Sequence, residues 1–261
     1  MKNDTSHDVA VVGTGPAGLA AALALATSGA RVLAVGALPG KRDTRTAALF
    51  AGSIKLLENI GIADVCRSAG EPIIAIRIID DMGALLRAPE VTFTATEAGL
   101  ERFGYNVPNA DLVEALRQRA GAVPNLTLID AGVASVTTGE NAAELQLDDG
   151  RTFAAKLIVG ADGRQSLCRQ AAQIGVKTWA YEQSAVTCSF KHQRPHGGVS
   201  TEYHRPAGPF TVVPSPNSAS SLVWVERPGI AQELSALDET AFRAALEERL
   251  QGLLGAVGEI G

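Results

Sequence analysis

The 261-residue sequence has few cysteines and no run of basic residues. Its three cysteines, Cys66, Cys168 and Cys188, are widely separated and odd in number. This excludes a disulfide framework and a zinc-ligand spacing, and it favours a reducing compartment. Lys and Arg total 23 against 28 Asp and Glu, so the formal net charge is −5. Such a chain is not expected to bind nucleic acid, or to be drawn electrostatically to an anionic membrane.

Several common catalytic patterns are also missing from the sequence. There is no Gly-x-Ser-x-Gly motif and no Cys-x-x-Cys pair, which excludes the usual hydrolase and disulfide-reductase chemistries. His192 and His196 have the i, i+4 spacing of a metal-binding pair. Pro195 and Gly197 argue against a helix that would place them on one face. We therefore predict no metal site.

The segment from Val9 to Ala30 has no charged residue and is long enough to span a membrane. Asp4 and Asp8 precede it, however, and glycines interrupt it between positions 13 and 18. A strand, a glycine turn and a buried helix account for it better than a transmembrane or signal segment. We therefore predict no transmembrane segment, and a cytoplasmic protein that is either free or peripheral to the membrane.

A glycine-rich turn stands between a strand and a helix near the N-terminus. The β-branched run Asp8–Val12 predicts a buried parallel strand, and Leu19–Thr27 predicts a helix. Arg31–Val35 predicts a second parallel strand. The intervening Gly-x-Gly-x-x-Gly motif, from Gly13 to Gly18, therefore has the context of a dinucleotide-binding turn. The alternative is a glycine-rich turn that binds no ligand.

Each position of this turn has a predicted role toward a dinucleotide. Gly13 allows the tight turn, Gly15 lets the backbone approach a pyrophosphate, and Gly18 lets the helix lie close to the sheet. Pro16 suits the first helical turn because it has no N–H. With Ala17, these residues place free N–H groups and the positive end of the helix dipole toward the phosphates.

The acid that usually follows such a turn is missing. An Asp or Glu about 20 residues on normally binds the adenosine ribose. Counted from Gly13, this position is Gly36, and the stretch Val32–Gly40 contains no acid. Three explanations stay open: Asp43 reaches back, water and backbone take the role, or the adenosine end is held loosely.

A second glycine-flanked segment lies farther along the chain. The run from Gly150 to Ser166 predicts a turn, a strand and then Asp162, followed by a short helix at Ser166–Ala172. The carboxyl end of a strand is where α/β sheets bind ligands, which favours a ligand role for Asp162. An ordinary turn at the end of a strand is the alternative.

These motifs together resemble the FAD-dependent aromatic hydroxylases, the single-component class A flavoprotein monooxygenases. The resemblance is closest to the branch that hydroxylates ubiquinone precursors. The resemblance implies FAD as cofactor, NAD(P)H as electron donor and dioxygen as the source of the oxygen placed on a phenolic ring. The residues that carry it, over nearly the whole chain, are GTGPAG (Gly13–Gly18), DTRTAAL (Asp43–Leu49), NADLVEAL (Asn109–Leu116), VGADGRQS (Val159–Ser166) and GPFTVVPSPNSASSLVW (Gly208–Trp224).

The resemblance also implies roles for individual residues. Arg45 would lie near the flavin and its ribityl-phosphate chain, the alternative being a solvated loop arginine. Asn109 would present its side chain to the cofactor, although it could equally cap the helix Ala110–Arg117. Asp162 and Gly163 would serve both the FAD pyrophosphate and reduction by the nicotinamide nucleotide. Val133, after the strand Leu126–Asp130, would offer its backbone to the adenine. No catalytic acid or base is assigned.

The predicted fold is α/β, with a Rossmann-like FAD-binding domain built from a parallel sheet and a β-meander, and an antiparallel-sheet substrate domain. The domain prediction is 1–72 and 98–172 for FAD binding, and 73–97 and 173–261 for the substrate. A helix is predicted at Thr46–Ile60, and another follows the cap Asp238. The predicted strands of the meander and the substrate domain are Pro72–Asp80, Ala84–Phe93 (a hairpin turning at Asp81–Gly83), Val133–Val136, Ala143–Leu147, Thr152–Val159, Ser184–His192, Val199–His204, Phe210–Pro214 and Ser221–Val225.

The resemblance predicts that the chain stops before a third cofactor motif. Members of the family carry a Gly-Asp-Ala-Ala-His-like segment after the substrate sheet, and nothing between Gly229 and Gly261 matches it. We therefore expect weak flavin retention and little turnover. The alternatives are a non-catalytic FAD-binding or accessory protein associated with other ubiquinone-biosynthesis proteins, and a flavin-dependent isoprenoid reductase.

Overall fold

The computed structural model describes residues 6–38 and 43–261, which form two compact units. The first takes in the described part of Met1–Arg42 with Lys55–Ala63 and Ala110–Thr178. The second takes in Asp43–Ile54, Asp64–Asn109 and Trp179–Gly261. Residues 43–54, 64–72 and 98–109 thus belong to the second unit, whereas the sequence analysis grouped them with the FAD-binding ranges 1–72 and 98–172. The assignment of FAD to one unit and substrate to the other stays a prediction.

Strands make up most of both units. In chain order they are β1 (Ser6–Val12), β2 (Val32–Val35), β3 (Thr46–Phe50), β4 (Glu71–Ile73), β5 (Ala75–Asp80), β6 (Val91–Thr94), β7 (Gly104–Pro108), β8 (Leu126–Ile129), β9 (Val133–Thr138), β10 (Ala143–Leu147), β11 (Thr152–Gly160), β12 (Ser184–His192), β13 (Val199–His204), β14 (Phe210–Ser215), β15 (Ala219–Glu226) and β16 (Val257–Ile260).

Helices connect these strands and cover their faces. They are α1 (Pro16–Thr27), α2 (Ala51–Asn59), α3 (Asp64–Ser68), α4 (Asn109–Gly121), α5 (Leu167–Ala171), α6 (Pro228–Ala236) and α7 (Glu239–Leu250), with a 3-10 helix at Ala95–Ala98. Over the described residues, no helix is both long and apolar enough to cross a bilayer.

The first unit is built on a six-stranded sheet in the order β8-β2-β1-β11-β10-β9. Strands β8, β2, β1 and β11 run parallel, and β10 and β9 add an antiparallel meander. The short side chains of α1 allow the helix to lie close to the sheet, where Leu19, Ala22 and Leu23 are fully buried. The α/β class, the parallel sheet and the meander are therefore confirmed.

The second unit contains a seven-stranded sheet in the order β16-β12-β15-β14-β13-β5-β6, and a three-stranded sheet, β3-β7-β4. The larger sheet is antiparallel except where β13 and β5 pair in parallel. Its core joins sheet aromatics to the apolar stripe of α7, and the rings of Phe210 and Trp224 meet edge to face at 5.2 Å. The antiparallel second sheet predicted from the sequence is confirmed.

The predicted helix Thr46–Ile60 is wrong over its first five residues. Thr46–Phe50 forms strand β3, which pairs with β7, and the helix α2 begins only at Ala51. The alanines of this segment favour a helix, but pairing with β7 overrides that propensity. The pairing is tight, since a side chain at Gly104 would overlap the carbonyl oxygen of Leu49.

The predicted strand and hairpin around residue 80 also need correction. The run Pro72–Asp80 divides between two sheets, because β4 pairs with β7 and β5 pairs with β13. Strand β6 does pair with β5 in antiparallel fashion, but it covers only Val91–Thr94. The tight turn predicted at Asp81–Gly83 is instead a connection over residues 81–90. Helices α3 and α6 and strands β7 and β16 were not predicted.

Candidate functional site

The turn between β1 and α1 is closed by two glycines that have no room for a side chain. Gly13 has φ +110° and donates its N–H to the Val35 carbonyl at 2.7 Å. A Cβ at Gly13 would overlap the backbone of Ala161, and one at Gly18 would overlap the carbonyl oxygen of Gly13. Packing within the first unit therefore explains both glycines without any ligand.

Gly15 differs, because the protein itself gives no reason for a glycine there. Its φ of −74° is open to any residue, and no described atom lies within 4 Å of a Cβ built on it. Gly15, Pro16 and Ala17 are exposed. As the N-cap of α1, Gly15 supplies no side-chain acceptor, and the first turn has no acidic residue. The positive end of a 12-residue helix thus opens onto free space.

Gly36, where the ribose-binding acid usually stands, is held against the same turn. A Cβ at Gly36 would lie 2.5 Å from Thr14 Oγ1 and 2.6 Å from the Thr14 nitrogen. Thr14 is buried, so it cannot swing aside without disturbing the core. An acid at position 36 is therefore sterically excluded in this chain. Pro39 and Gly40, which complete the acid-free stretch, lie outside the described residues.

Asp162 follows β11, the parallel neighbour of β1, and so lies at the same edge of the sheet as the glycine turn. Val12 and Gly160 are paired in register, and the Ala161 N–H donates to the Val12 carbonyl at 2.7 Å. Asp162 Oδ2 accepts the Cys168 N–H at 3.0 Å. Asp162 Oδ1 is buried with no hydrogen-bond partner in the described part of the chain.

The carboxyl group of Asp162 is held in its charged form. Partial burial alone would raise its pKa, but hydrogen bonds from Ser166 and from the Cys168 N–H outweigh it, so the pKa lies below the ordinary value. Ser166 also caps α5 by accepting the Arg169 N–H at 2.9 Å. Gly163 has φ +78°, which turns the chain sharply after the acid. The result is a fixed carboxylate with one oxygen still unpartnered.

Val133, predicted to face adenine through its backbone, begins strand β9. It is opposite Leu147, next to a bulge in the β9–β10 pairing. Its side chain packs against the core cluster that contains Val35 and Ile129. Half of the side chain is thus engaged in packing, and the predicted backbone contact with adenine stays a prediction.

In the second unit, Arg45 and Asn109 share one carboxylate. Arg45 donates through its Nε and a terminal nitrogen to the two oxygens of Asp43, both at 2.8 Å, and Asn109 donates to Asp43 Oδ2 at 3.0 Å. The Arg45 guanidinium beside Asp43 holds the pKa of that carboxyl well below its usual range. Asp43 is thus engaged locally, which disfavours the idea that it reaches back to a ribose. Arg45 keeps 67% of its side chain exposed.

A buried polar network, which the sequence analysis missed, lies beside Arg45. Thr46 Oγ1 donates to Ser221 Oγ at 3.0 Å, and Ser221 lies 2.9 Å from Ser215 Oγ. Asn106, only 1% exposed, donates to the Pro214 carbonyl at 2.9 Å. A cavity of about 110 Å³ borders this network and is lined by Arg45, Thr46, Cys188 and Ser221, among others. The serines lie in the GPFTVVPSPNSASSLVW motif, and this motif was the only sequence signal for the polar network.

Ser215 and Ser220, from the same motif, contact the two histidines that have the metal-pair spacing. His192 Nδ1 lies 2.8 Å from the Arg194 carbonyl, and its Nε2 lies 3.0 Å from Ser220 Oγ. His196 Nδ1 accepts the Gly198 N–H at 3.1 Å, and its Nε2 lies 3.2 Å from the Ser215 carbonyl. All four ring nitrogens therefore have protein partners. No group of three potential metal ligands occurs among residues 6–38 and 43–261.

The glycine turn fits the diphosphate of a dinucleotide. It combines open space above Gly15, an uncapped helix start and a sharply placed carboxylate with an unpartnered buried oxygen. A diphosphate needs N–H donors and positive potential, and ribose or ribityl hydroxyls need an acceptor. The first unit offers both at one edge of its sheet. The second unit offers Arg45, an exposed cation whose orientation Asp43 fixes.

Replacing Asp162 with Asn is expected to change stability in a pH-dependent way. The depressed pKa means that the carboxylate stabilises the fold above the ordinary Asp pKa of about 3.9, and that this is lost as the pH falls through the folded value. Asp162→Asn should be about 1 kcal/mol less stable at neutral pH and should converge with wild type in acid. Urea unfolding at a series of pH values measures this.

The exposed pair formed by Asp149 and Arg151 provides the control. Asp149→Asn should change the free energy of unfolding little, because a solvent-exposed ion pair contributes little. A difference between Asp162→Asn and wild type that stays constant from neutral to acid pH would contradict the account of Asp162.

Comparison with known proteins places these features in a family. The FAD binding domain family matches residues 6–256. Ubiquinone hydroxylase UbiL of Rhodospirillum rubrum is 36% identical over 265 residues, covering 99% of this chain and 61% of its own length. The 3-demethoxyubiquinol 3-hydroxylase of Escherichia coli is 30% identical over 259 residues, covering 96% of this chain and 65% of its own. The chain thus spans less than two thirds of these relatives.

Solved structures agree on the fold. PqsL, a probable FAD-dependent monooxygenase from Pseudomonas aeruginosa, superposes with a TM-score of 0.76 at 22% identity, over 94% of this chain and 66% of that one. Aklavinone-11 hydroxylase, solved with FAD and aklavinone, gives a TM-score of 0.70 at 23% identity, over 99% of this chain and 53% of that one.

Proposed function

Because the chain belongs to the FAD binding domain family, we propose that it binds FAD through the glycine turn of its first unit, as part of an aromatic-ring hydroxylase. The observation that carries this proposal is Gly15. Among residues 6–38 and 43–261 nothing explains its small size, and it lies at an uncapped helix start. A ligand whose diphosphate approaches the backbone supplies the missing explanation.

Each predicted site residue has a role in this proposal. Gly13 and Gly18 shape the turn, while the segment Gly15–Ala17 receives the diphosphate at the start of α1. Asp162 is the acceptor for a hydroxyl of the cofactor, once its buried, unpartnered Oδ1 turns outward on binding, and Gly163 turns the chain away behind it. Since Gly36 excludes an acid, the adenosine ribose is left to backbone groups and water.

The remaining residues are proposed to act through charge and shape. Arg45 is assigned to the ribityl-phosphate chain as a cation held in one orientation by Asp43, and Asn109 supports the same carboxylate. Val133 contributes its backbone to the adenine. NAD(P)H binds transiently as electron donor, because the chain has one glycine fingerprint and we assign it to FAD.

FAD, when bound, supplies electron transfer from NAD(P)H and the activation of dioxygen. The protein's task is then to orient the ring and to exclude water. The buried hydroxyl and amide groups around Ser221 suit a phenolic substrate, which both donates and accepts hydrogen bonds. Burial raises the pKa of the Cys188 thiol to about 11. The wall of the cavity that Cys188 forms is therefore uncharged at neutral pH.

The proposed substrate class is a phenol or quinol with a prenyl chain. Two relatives named as a ubiquinone hydroxylase and a demethoxyubiquinol hydroxylase support it. A prenylated ring resides in a membrane, so we further propose that the protein associates peripherally with the bilayer and with other proteins of ubiquinone biosynthesis.

The test combines cofactor binding with product analysis. FAD is titrated into the purified chain while flavin fluorescence is followed. The loaded protein then receives NADH or NADPH and a short-chain prenylated phenol under labelled dioxygen. Saturable but weak FAD binding is expected, with a small yield of a product that gains one labelled oxygen atom. A product that gains two hydrogens indicates a reductase, and FAD binding without any product indicates a non-catalytic role. A folded chain that binds no FAD contradicts the proposal.

A further inference from the structure

We propose that the connection between β5 and β6, residues 81–90, docks the protein on a lipid bilayer by inserting Leu85 and Leu86 into the interfacial region. We call this connection the leucine loop. This inference rests on the proposed peripheral association with the bilayer, and it adds the surface of the protein that makes the contact. The leucine loop belongs to the second unit and is distant in sequence from every residue of the glycine turn.

The leucine loop presents apolar side chains to solvent without any cover. Leu85 is 100% exposed and Leu86 is 89% exposed, the highest values among the large hydrophobic residues of the described chain. Met82, on the same loop, is 51% exposed. Two adjacent leucines in full contact with water are unfavourable, and transfer into an apolar environment relieves that cost.

Hydrogen bonds hold the leucine loop in shape. Asp80 accepts the Met82 N–H at 3.0 Å through one oxygen and the Ala88 N–H at 2.8 Å through the other. Asp81 lies 3.5 Å from Arg205 and 3.8 Å from Arg87. The two carboxylates therefore point into the base of the loop, and the leucines are left at its far end. The exposure belongs to a fixed conformation, not to an unfolded segment.

The charge distribution of the leucine loop suits a membrane surface. Between Met82 and Pro89 the only ionic side chain is Arg87, which is 52% exposed, and the acids at the two ends of the loop, Asp81 and Glu90, pair with Arg205 and Arg77. A cation beside apolar residues matches the phosphate layer above the acyl chains. The chain as a whole carries a formal charge of −5, so long-range attraction is weak and the leucines must supply most of the affinity.

The apolar surface continues from the leucine loop onto the edge strand β6. Val91 is 44% exposed and Phe93 is 51% exposed. Phe93 also lines an open groove of about 410 Å³ with Ile76 and Phe103. An edge strand with exposed apolar residues invites association unless it is covered. A bilayer that receives the leucines also covers this strand.

Vesicle co-sedimentation tests the proposal. The probes are vesicles of phosphatidylcholine alone and of phosphatidylcholine with phosphatidylglycerol. Wild-type protein is expected to bind both to a similar extent, because the attraction of Arg87 to anionic lipid is offset by the net charge of −5. Leu85→Ser with Leu86→Ser should lower the partition coefficient by about tenfold or more, because two buried leucines are lost. Both side chains are exposed, so the fold should be unchanged by circular dichroism.

Two exposed apolar residues elsewhere provide the matched control. Ile174 and Val176 are 62% and 63% exposed, and Ile174→Ser with Val176→Ser should bind vesicles like wild type. In a second measurement, Leu85→Trp in a Trp179→Phe background should show a blue shift of its fluorescence on vesicles, since the remaining Trp224 is buried.

The outcomes separate this inference from the proposed function. Vesicle binding that survives the loss of both leucines, or an unchanged fluorescence spectrum of the Leu85→Trp variant on vesicles, overturns the leucine loop as the docking surface. Capture of a protein through the leucine loop, with no vesicle binding, also overturns it. Because neither assay needs FAD or turnover, failure here leaves the FAD titration and the product analysis unaffected.

Discussion

Gly18→Ala is expected to destabilise the first unit strongly and to abolish FAD binding. The new methyl group would overlap the carbonyl oxygen of Gly13 and would crowd the Ala161 Cβ at 3.2 Å. Both neighbours belong to backbone that the β1–β11 pairing holds in place, so neither can move at low cost. We expect a loss of about 3 kcal/mol in the free energy of unfolding, at the upper end of overpacking effects. Urea unfolding monitored by circular dichroism measures it.

Gly15→Ala makes the same chemical change in open space and separates folding from binding. No described atom approaches its Cβ, and φ is −74°, so the free energy of unfolding should shift by less than about 0.5 kcal/mol. FAD affinity should nevertheless fall by about tenfold or more, since the methyl group keeps a diphosphate from the helix start. An unchanged FAD affinity would show that the cofactor does not bind at this turn. A stable Gly18→Ala protein would refute the packing argument.

Local sequence signals predicted the elements of both units where short-range chemistry determines the structure. The strand, turn and helix from Ser6 to Thr27 follow from a β-branched run, a glycine motif and an alanine-rich run. Strands β12 and β13 have the predicted bounds, because glycine, proline or serine clusters mark their ends. The cap Asp238 accepts the Ala241 N–H at 2.8 Å, as the sequence indicated for α7.

The errors arose where partners distant in the chain decide the structure. Thr46–Phe50 is a strand because β7, more than 50 residues later, pairs with it. The leucine loop replaces a tight turn because the Asp80 side chain reaches the Ala88 N–H, eight residues on. The polar network joins Asn106 to Ser215, 109 residues apart. No short window of sequence contains the first or the third of these contacts, and the Asp80–Ala88 contact spans more residues than the turn signal that was used.

The missing ribose acid shows both the strength and the limit of sequence reasoning. The glycine at position 36 is visible in the sequence, and so is its departure from the usual pattern. Its cause is the approach of Thr14, at 2.5 Å from a Cβ at Gly36, across two neighbouring strand ends. The Thr14 backbone nitrogen lies 2.6 Å from the same Cβ, so the path of the backbone as well as the Thr14 side chain accounts for the glycine at 36. An acid at position 36 would not fit, so the ribose contact must come from other groups.

Arg205→Met is expected to destabilise the second unit strongly. The Arg205 side chain is 10% exposed and pairs with Glu226, itself 9% exposed, at 3.0 Å. Glu226 also accepts the indole N–H of Trp224 at 3.3 Å, inside the aromatic core. Removing the cation leaves a buried carboxylate without its partner, which costs about 3–5 kcal/mol. The free energy of unfolding in urea measures this loss.

A double-mutant cycle distinguishes loss of the charge partner from loss of packing. Glu226→Gln removes the negative charge but keeps an oxygen for the Trp224 N–H. If the unpaired charge dominates, Arg205→Met with Glu226→Gln should be more stable than Arg205→Met alone, with a coupling energy of about 2 kcal/mol. Additive effects would instead mean that Arg205 acts through the packing of its stem. Arg205 also contacts Asp81 at the base of the leucine loop, at 3.5 Å. The same cation therefore joins the aromatic core to the loop, and we expect Arg205→Met to weaken vesicle binding as well.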